Sequence, residues 1–233
     1  MTELCIENEV KLISGGGPYA FDSDDAVKAV SSLRGFVEAA GMSCTEPQFI
    51  RLHDDYYSDA ADTFRARGVI VRYRIKDGWK HTVVIKTPYI RTGLGLSRTE
   101  IETVLIGPRP DAVEDQCARH LGENNIDPVP KVSDDILRMR MTVTSEVRSY
   151  SLNFDRIIYY DPASKKRTVP GYEIELESKD KPIRDDQAVS RLINLLSGTG
   201  YFQEQKISKY ARGRAWVDSL AADAEKETGS PPS

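Results

Sequence analysis

Several common sequence patterns are missing from this chain of 233 residues, and each absence argues against a class of protein. No apolar run approaches the roughly 18 residues that span a bilayer, and the amino terminus lacks the basic and apolar regions of a signal peptide. Cysteine occurs three times, at Cys5, Cys44 and Cys117, without CxxC or zinc-type spacing. We therefore expect a reducing, cytoplasmic location and no membrane partner.

The usual phosphate-binding and nucleophile motifs are also missing. Gly15 to Gly17 is not followed by the Lys-Ser/Thr of a P-loop, and Gly93 and Gly95 do not open a helix in a βαβ unit. The three histidines lie far apart and lack metal-ligand spacing, and no nucleophile elbow or Cys/His pair is present. Any catalysis is therefore expected to depend on positioning and electrostatics acting on an attacking water.

The charge balance argues against a nucleic-acid-binding surface of large extent. Charged residues make up 29% of the chain and the formal net charge is -4, so a broad basic face is not expected, although a local basic groove is compatible with these values. The composition is that of an ordinary globular chain and does not indicate an oligomeric state.

What the sequence does contain is pairs of charged residues at alternate positions. Glu7, Glu9 and Lys11 alternate with other residues in a segment that also carries Ile6, Val10 and Leu12. Side chains two positions apart share one face of a strand. The same spacing recurs in Arg72 and Arg74, Glu100 and Glu102, Arg138 and Arg140, and Glu173, Glu175 and Glu177. Charges on one face and apolar residues on the other predict a closed sheet with a charged interior and a covered outer wall.

A second interpretation of these pairs is a solvated sheet face with cross-strand salt bridges. For any single strand this interpretation is the better one. Acidic pairs on three strands together with basic pairs on two favour a functional site instead. Lys11 stays ambiguous, since it could bind phosphate or form an ion pair with Glu9.

Hydrophobic periodicity predicts eight strands and about four helices in one α+β domain over residues 1–218, with a disordered tail over 219–233. The eight antiparallel strands are expected to form the closed sheet, with the helices packed outside it. The predicted strands cover 4–12, 48–57, 69–76, 80–87, 97–105, 136–143, 147–160 and 171–178, and the predicted helices 22–40, 110–121, 185–197 and 203–222.

The ordered set of charged pairs resembles the CYTH superfamily, the triphosphate tunnel metalloenzymes, over about residues 4 to 216. The residues that carry the resemblance are Glu7-x-Glu9-x-Lys11, Tyr56 to Asp59, Arg72-x-Arg74, Lys86, Glu100-x-Glu102, Arg138-x-Arg140, Asp155 and Glu173-x-Glu175. The resemblance implies an eight-stranded antiparallel tunnel that binds a linear triphosphate with a divalent metal. Family members include inorganic, thiamine and RNA triphosphatases and class IV adenylyl cyclases.

The chemistry of a triphosphate suits these residue types. Its negative charges need cations on several sides, and the predicted substrate-binding residues are Arg72, Arg74, Lys86, Arg138 and Arg140, with Lys209 added by the resemblance. Carboxylates suit Mg²⁺ or Mn²⁺, and the predicted metal ligands are Glu7, Glu9, Glu100, Glu102, Asp155, Glu173 and Glu175. Glu7, Glu9, Lys11 and Lys86 are the predicted catalytic residues. We expect Arg72 and Arg74 to belong to a cation cluster that repels itself when no phosphate is bound.

The predicted function is metal-dependent hydrolysis of a terminal phosphoryl group from tripolyphosphate or a triphosphorylated compound. One alternative is a class IV adenylyl cyclase, which would form cyclic AMP and pyrophosphate from ATP. The chain lacks the His-Phe pair expected ahead of the first glutamates in bacterial cyclases, which weakens this alternative. Another is a module that binds polyphosphate or a nucleotide without turnover. The partner in each case is a small molecule that contains a triphosphate.

Overall fold

The computed structural model of the chain describes residues 2–14, 23–88, 90–92, 95–122, 127–179, 183 and 185–227. Side chains are described for these residues except 3–7, 23–28, 90–92, 95–97, 179 and 224–227. The described chain has an α+β architecture, with one mostly antiparallel sheet and helices packed against it.

Eight long strands form most of the sheet: β1 (Thr2–Ser14), β3 (Gln48–Ser58), β4 (Ile70–Lys76), β5 (Lys80–Lys86), β7 (Gly95–Leu105), β8 (Val129–Thr144), β9 (Ser149–Tyr160) and β10 (Gly171–Lys179). Three short strands join them: β2 (Ser43–Cys44), β6 (Ile90–Thr92) and β11 (Phe202–Glu204). The helices are α1 (Ser23–Ala39), α2 (Thr63–Ala66), α3 (Ala112–Leu121), α4 (Gln187–Gly198) and α5 (Lys209–Glu227).

The long strands follow one another in the order β1-β10-β9-β8-β3-β4-β5-β7. The first half of β1 also pairs with β7, from Thr2 opposite Thr103 to Glu9 opposite Leu96. Its second half pairs with β10, where Lys11 lies opposite Glu175. β1 therefore has long partners on both of its edges, while the short strands attach to β1, β7 and β8.

Each predicted strand coincides with one of the long strands, but the predicted total of eight is too low. The described sheet contains eleven strands, because β2, β6 and β11 were missed. These strands have two or three residues, too few to show an alternating pattern. For the same reason the last predicted helix began too early, at 203, where the chain instead forms β11 against β1.

The two faces of the sheet differ in chemistry, as the alternation predicts. The apolar residues of β1, β8, β9 and β10 pack under α1 and α4 in the largest hydrophobic cluster, which includes Val10, Met139, Phe154 and Leu192. The apolar residues of β4 and β5 pack with α2 and α3 around Phe64. Burial of these faces is the main stabilising term for the fold, and it orients the charged side chains toward the opposite face, hereafter the charged face.

Helix α5 lies across β8 and β9 and approaches them closely at Gly213. A Cβ atom there would lie 2.7 Å from a ring carbon of Tyr159 and 2.9 Å from a methyl carbon of Val132, so a larger residue would push the helix away. The helix continues to Glu227, and the predicted domain boundary at residue 218 therefore falls inside it. Residues 228–233 of the predicted tail lie outside the described residues.

No helix in the described ranges is both long enough and apolar enough to cross a membrane.

Candidate active site

The charged face lines a cavity of about 540 Å³, in which basic side chains outnumber acidic ones. The basic side chains come from β1, β4, β5, β7, β8 and α5: Lys11, Arg72, Arg74, Lys86, Arg98, Arg138, Arg140 and Lys209. The acidic lining consists of Glu100, Glu102, Glu175 and Glu177. A cavity with cations on most of its walls suits a compact polyanion.

The densest charge cluster lies where β9, β10 and α5 meet, and its acids Asp155, Glu173 and Glu175 are called the acidic cluster. Lys209 Nζ lies 2.5 Å from Glu173, 2.6 Å from Glu175 and 3.1 Å from Asp155. Arg138 donates two hydrogen bonds to Asp155, at 2.7 and 2.6 Å, and one to Glu175 at 2.8 Å. All five side chains are buried, so the acids and bases compensate one another away from water.

Strand register and one helix produce this cluster. Glu173 of β10 lies opposite Asp155 of β9, and Asp155 lies opposite Arg138 of β8, so three neighbouring strands place their charges in one row. Lys209 comes from the first turn of α5, and Arg212, one turn later, also donates to Glu173. The absence of a side chain at Gly213 allows α5 to pack closely on β8 and β9, which carry part of this row of charges.

The surroundings shift the pKa values of the cluster in different directions. Burial alone would raise the pKa of Glu175, but Lys209, Lys11 and Arg138 hold it well below its usual range. Asp155 is likewise buried, and Arg138 and Lys209 lower its pKa. The pKa of Glu173 is raised by burial despite Lys209. The three neighbouring carboxylates raise the pKa of Lys209 well above its usual range, against the effect of burial, so the lysine stays charged.

Strand β1 adds a second group of charges next to the acidic cluster. Lys11 Nζ lies 2.6 Å from Glu9 Oε1 and 3.5 Å from Glu175 Oε1, and Arg98 Nη2 lies 3.4 Å from Glu9 Oε1. The ion pair predicted between Lys11 and Glu9 is therefore present, and Lys11 also lines the cavity, where its role as a phosphate ligand stays a prediction. Glu7 lies in register with Lys179 and Arg98, but its side chain is outside the described part of the chain.

The remaining predicted acids lie on β7 beside lysines of β5. Lys86 Nζ is 2.7 Å from Glu100 Oε2, and Lys80 Nζ is 3.5 Å from Glu102 Oε1. Lys86 and Glu100 are in register opposite each other and both line the cavity.

The prediction that Arg72 and Arg74 belong to a cation cluster that repels itself in the empty protein was wrong. Asp54 of β3 compensates both arginines. Arg74 donates to the two oxygens of Asp54 at 2.6 Å each, and Arg72 Nη1 lies 3.3 Å from Asp54 Oδ2. Against the effect of burial, Arg72 and Arg74 lower the pKa of Asp54 to about 2. In the empty protein these arginines are therefore held by an ion pair.

A second carboxyl group, Asp134 of β8, lies directly opposite Asp54 and is fully buried. Neither of its oxygens has a hydrogen-bond partner among the described residues. Burial and the neighbouring Asp54 hold the pKa of Asp134 well above its usual range. An unpaired buried acid of this kind lowers the stability of the fold.

Several comparisons with known proteins agree with this geometry. A family model described as the CYTH domain matches residues 27–211. The chain belongs to the CYTH domain family. No curated protein matches it by sequence.

Solved structures similar to this CYTH chain show the same fold at low sequence identity. HpAC1 from Hippeastrum, described as an adenylyl cyclase candidate with a dominant triphosphatase activity, has 16% identity and a TM-score of 0.55 over 90% of this chain and 95% of its own. A candidate adenylate cyclase from Bacillus halodurans has 16% identity and a TM-score of 0.56, over 90% and 97%. The PH1819 protein of Pyrococcus horikoshii has 18% identity and a TM-score of 0.50, over 88% and 96%.

The carboxylates of this CYTH chain fit the divalent metal that the family resemblance implies. Two groups offer oxygen atoms within 4.8 Å of one another: Glu9, Glu175 and Glu177, and the acidic cluster. Oxygen donors of this type suit Mg²⁺ or Mn²⁺. Glu175 belongs to both groups. Lys209 contacts all three acids of the acidic cluster, whereas in the first group it contacts Glu175, and Glu175 and Glu177 line the cavity.

Sequence reasoning missed several charged residues of the site. Glu177 continues the alternating acids of β10, so its spacing could have identified it as a ligand candidate. Asp54 and Asp134 stand singly among apolar neighbours on their strand faces, and only the pairing of β3 with β8 brings them together. Arg98 and Arg212 each lie two residues before another charged residue, Glu100 and Arg214, but neither spacing identifies the acid that they contact. Their contacts with Glu9 and Glu173 depend on the fold.

Proposed function

We propose that this CYTH protein hydrolyses the terminal phosphoryl group of tripolyphosphate or of a triphosphorylated compound with the aid of Mg²⁺ or Mn²⁺. The observation that carries the proposal is the cavity of about 540 Å³ with basic side chains from six elements and a group of three carboxylates at its edge. Cations on several walls match the charges of a linear triphosphate, and the carboxylates match a divalent metal bound to it.

The sheet is proposed to close into a tunnel around this cavity. Pairing of β1 with β10 on one edge and with β7 on the other supports closure, because β1 and β7 stand at opposite ends of the series of long strands. A closed wall would exclude bulk water and strengthen each contact between cation and phosphate.

Substrate binding is assigned to the cations that line the cavity. Arg72 and Arg74 approach from β4, Arg138 and Arg140 from β8, Lys86 from β5 and Lys209 from α5. Arginine offers a planar pair of donors to phosphate oxygens, and lysine a compact charge. Arg74 uses Nε and Nη2 on Asp54, so phosphate contacts would come from its remaining N–H donors or from exchange with Asp54.

The metal is assigned first to Glu9, Glu175 and Glu177, because two members of this group, Glu175 and Glu177, line the cavity. The other predicted ligands, Glu7, Glu100, Glu102, Asp155 and Glu173, remain proposed as further ligands or as partners of the basic residues. A divalent cation held there would neutralise phosphate charge and lower the pKa of a bound water. Lys11 and Lys86 are proposed to orient the phosphate chain through its oxygens, since both are buried cations at the cavity wall.

The test is a product analysis with pure protein, Mg²⁺ or Mn²⁺, and either tripolyphosphate or ATP. We expect orthophosphate release that needs added metal and that falls by about 100-fold or more in Glu9→Gln, because the amide keeps the shape but loses the charge. The matched control is Glu114→Gln, which removes one exposed carboxylate from α3 and should leave the rate unchanged.

Three outcomes would contradict this assignment. Cyclic AMP and pyrophosphate from ATP would indicate the cyclase, and binding without any product would indicate a non-catalytic module. A near-normal rate of Glu9→Gln at low metal concentration would remove Glu9 from the metal site.

A further inference from the structure

A smaller cavity of about 130 Å³ adjoins the main cavity at the end of the β4–β5 hairpin. The two cavities share four lining residues, so they meet around these side chains: Arg74, Glu102, Arg138 and Arg140. The smaller cavity adds Lys76, Lys80 and Thr82, with Ile50 and Leu52 on its apolar wall. We call it the hairpin cavity.

Two lysines of the hairpin cavity face each other across strands. Lys76 of β4 and Lys80 of β5 are register partners, and both line the cavity. Like charges directly opposite each other in an antiparallel pair are destabilising. The repulsion is relieved when an anion lies between or beside the two ammonium groups.

Acidic compensation in the hairpin cavity is incomplete. Glu102 is the one acid among its described lining residues, and it lies 3.5 Å from Lys80. Lys76 has no acid within ion-pair distance in the described ranges. Arg140 uses its Nε on the Asn153 side-chain oxygen at 2.9 Å, and burial and the adjacent Arg138 lower its pKa. Lys76 and Arg140 are therefore available to a ligand, and of these Lys76 lines only the hairpin cavity, beside the proposed triphosphate site.

We propose that the hairpin cavity binds phosphate groups that extend beyond a bound triphosphate, so that linear polyphosphates of four or more phosphates are the preferred ligands. This inference rests on the proposed function, because the triphosphate in the main cavity anchors the chain. The cation content favours phosphate over a nucleobase, and none of the described lining residues is an aromatic on which a base could stack.

The test measures binding by calorimetry without metal, in the presence of EDTA, so that turnover cannot interfere. The ligands are orthophosphate, tripolyphosphate and tetrapolyphosphate at one ionic strength. The test variant is Lys76→Gln/Lys80→Gln, and the control is Arg119→Gln/Lys166→Gln, which removes the same charge at exposed positions. Ligand-free melting of each variant verifies folding, and the single lysine variants serve if the double variant does not fold.

We expect the native protein to bind tetrapolyphosphate about tenfold more tightly than tripolyphosphate, as one additional charge-assisted contact would give. The lysine double variant should retain its tripolyphosphate affinity while the preference falls to about twofold, the factor for two ways of placing three phosphates in a chain of four. Either single lysine variant should lose part of the preference. The control should keep all of it.

Different failures overturn different claims. Tight tripolyphosphate binding without a preference for tetrapolyphosphate, or a preference that survives in the lysine variants or disappears in the control, would overturn the hairpin-cavity site alone. If neither tripolyphosphate nor tetrapolyphosphate bound more tightly than orthophosphate, the triphosphate site and the proposed function would fall as well.

Discussion

The acidic cluster and the hairpin cavity lie on the same charged face but differ in how far their basic side chains are paired with acids. In the acidic cluster Lys209 contacts three carboxylates, and Arg138 binds two of them. In the hairpin cavity Lys76 and Lys80 face each other with one acid near Lys80. One region is compensated within the protein, and in the other Lys76 has no acidic partner among the described residues.

We infer from this difference that the paired charges stabilise the fold, whereas the unpaired cation acts in ligand binding. A buried ion cluster loses much of its stability when one partner is removed, because the remaining charges stay buried and unpaired. A half-exposed cation without a partner contributes little to folding, and its removal is felt when an anion binds. Substitutions in the two regions should therefore change different measurements.

The largest effect is expected for Lys209→Met, which keeps a long side chain but leaves three buried carboxylates without their shared cation. We expect the free energy of unfolding to fall by about 3–5 kcal/mol at neutral pH, measured by urea denaturation. Lys206→Met, at an exposed position just before α5, is the matched control and should change it little. A loss below about 1 kcal/mol in Lys209→Met would show that the cluster does not depend on this lysine.

An intermediate effect of opposite sign is expected for Asp134→Asn. The raised pKa of Asp134 means that the folded state binds this proton more tightly than the unfolded state, so the stability cost of the acid grows as pH rises above the unfolded pKa of about 4. Asparagine removes that cost, and we expect a gain of about 1–3 kcal/mol at pH 7. The gain should shrink as the pH falls toward 4.

Melting scans of Asp134→Asn and the native protein between pH 4 and 8 test this sign. Asp111→Asn changes an exposed acid paired with Arg109 and should give a small difference at every pH. A gain for Asp134→Asn that stayed constant across the pH range would mean that Asp134 does not titrate differently in the folded protein.

The smallest effect on folding is expected for Lys76→Gln, which relieves the repulsion with Lys80 and removes no ion pair among the described residues. The free energy of unfolding should change by no more than about 0.5 kcal/mol, and any change should be a gain. The same urea titration used for Lys209→Met measures it. A clear loss of stability would show that Lys76 stabilises the fold, and the two regions would then not differ in this respect.

Much of the fold and part of the site could be predicted because the strands show an alternating pattern of charged and apolar residues in the sequence. Alternation identified every long strand and assigned Glu173 and Glu175 to one face and Ile174 to the other. The short strands have too few residues to show this pattern. The one-turn helix α2 was missed because it is also too short. Compensation of Arg72 and Arg74 by Asp54 was also missed, since it depends on how β3 pairs with β4.

The sequence by itself determined which residues share a strand face, because successive side chains of a strand point to opposite sides whatever the strand pairs with. It therefore determined that this protein has a sheet with one charged and one apolar face. Only the tertiary structure decided which charges meet. The register of β8, β9 and β10 aligned Arg138 with Asp155, and the packing of α5 at Gly213 placed Lys209 among three acids. The ion pairs of the acidic cluster join residues far apart in the chain over a few ångströms, so local periodicity cannot specify them.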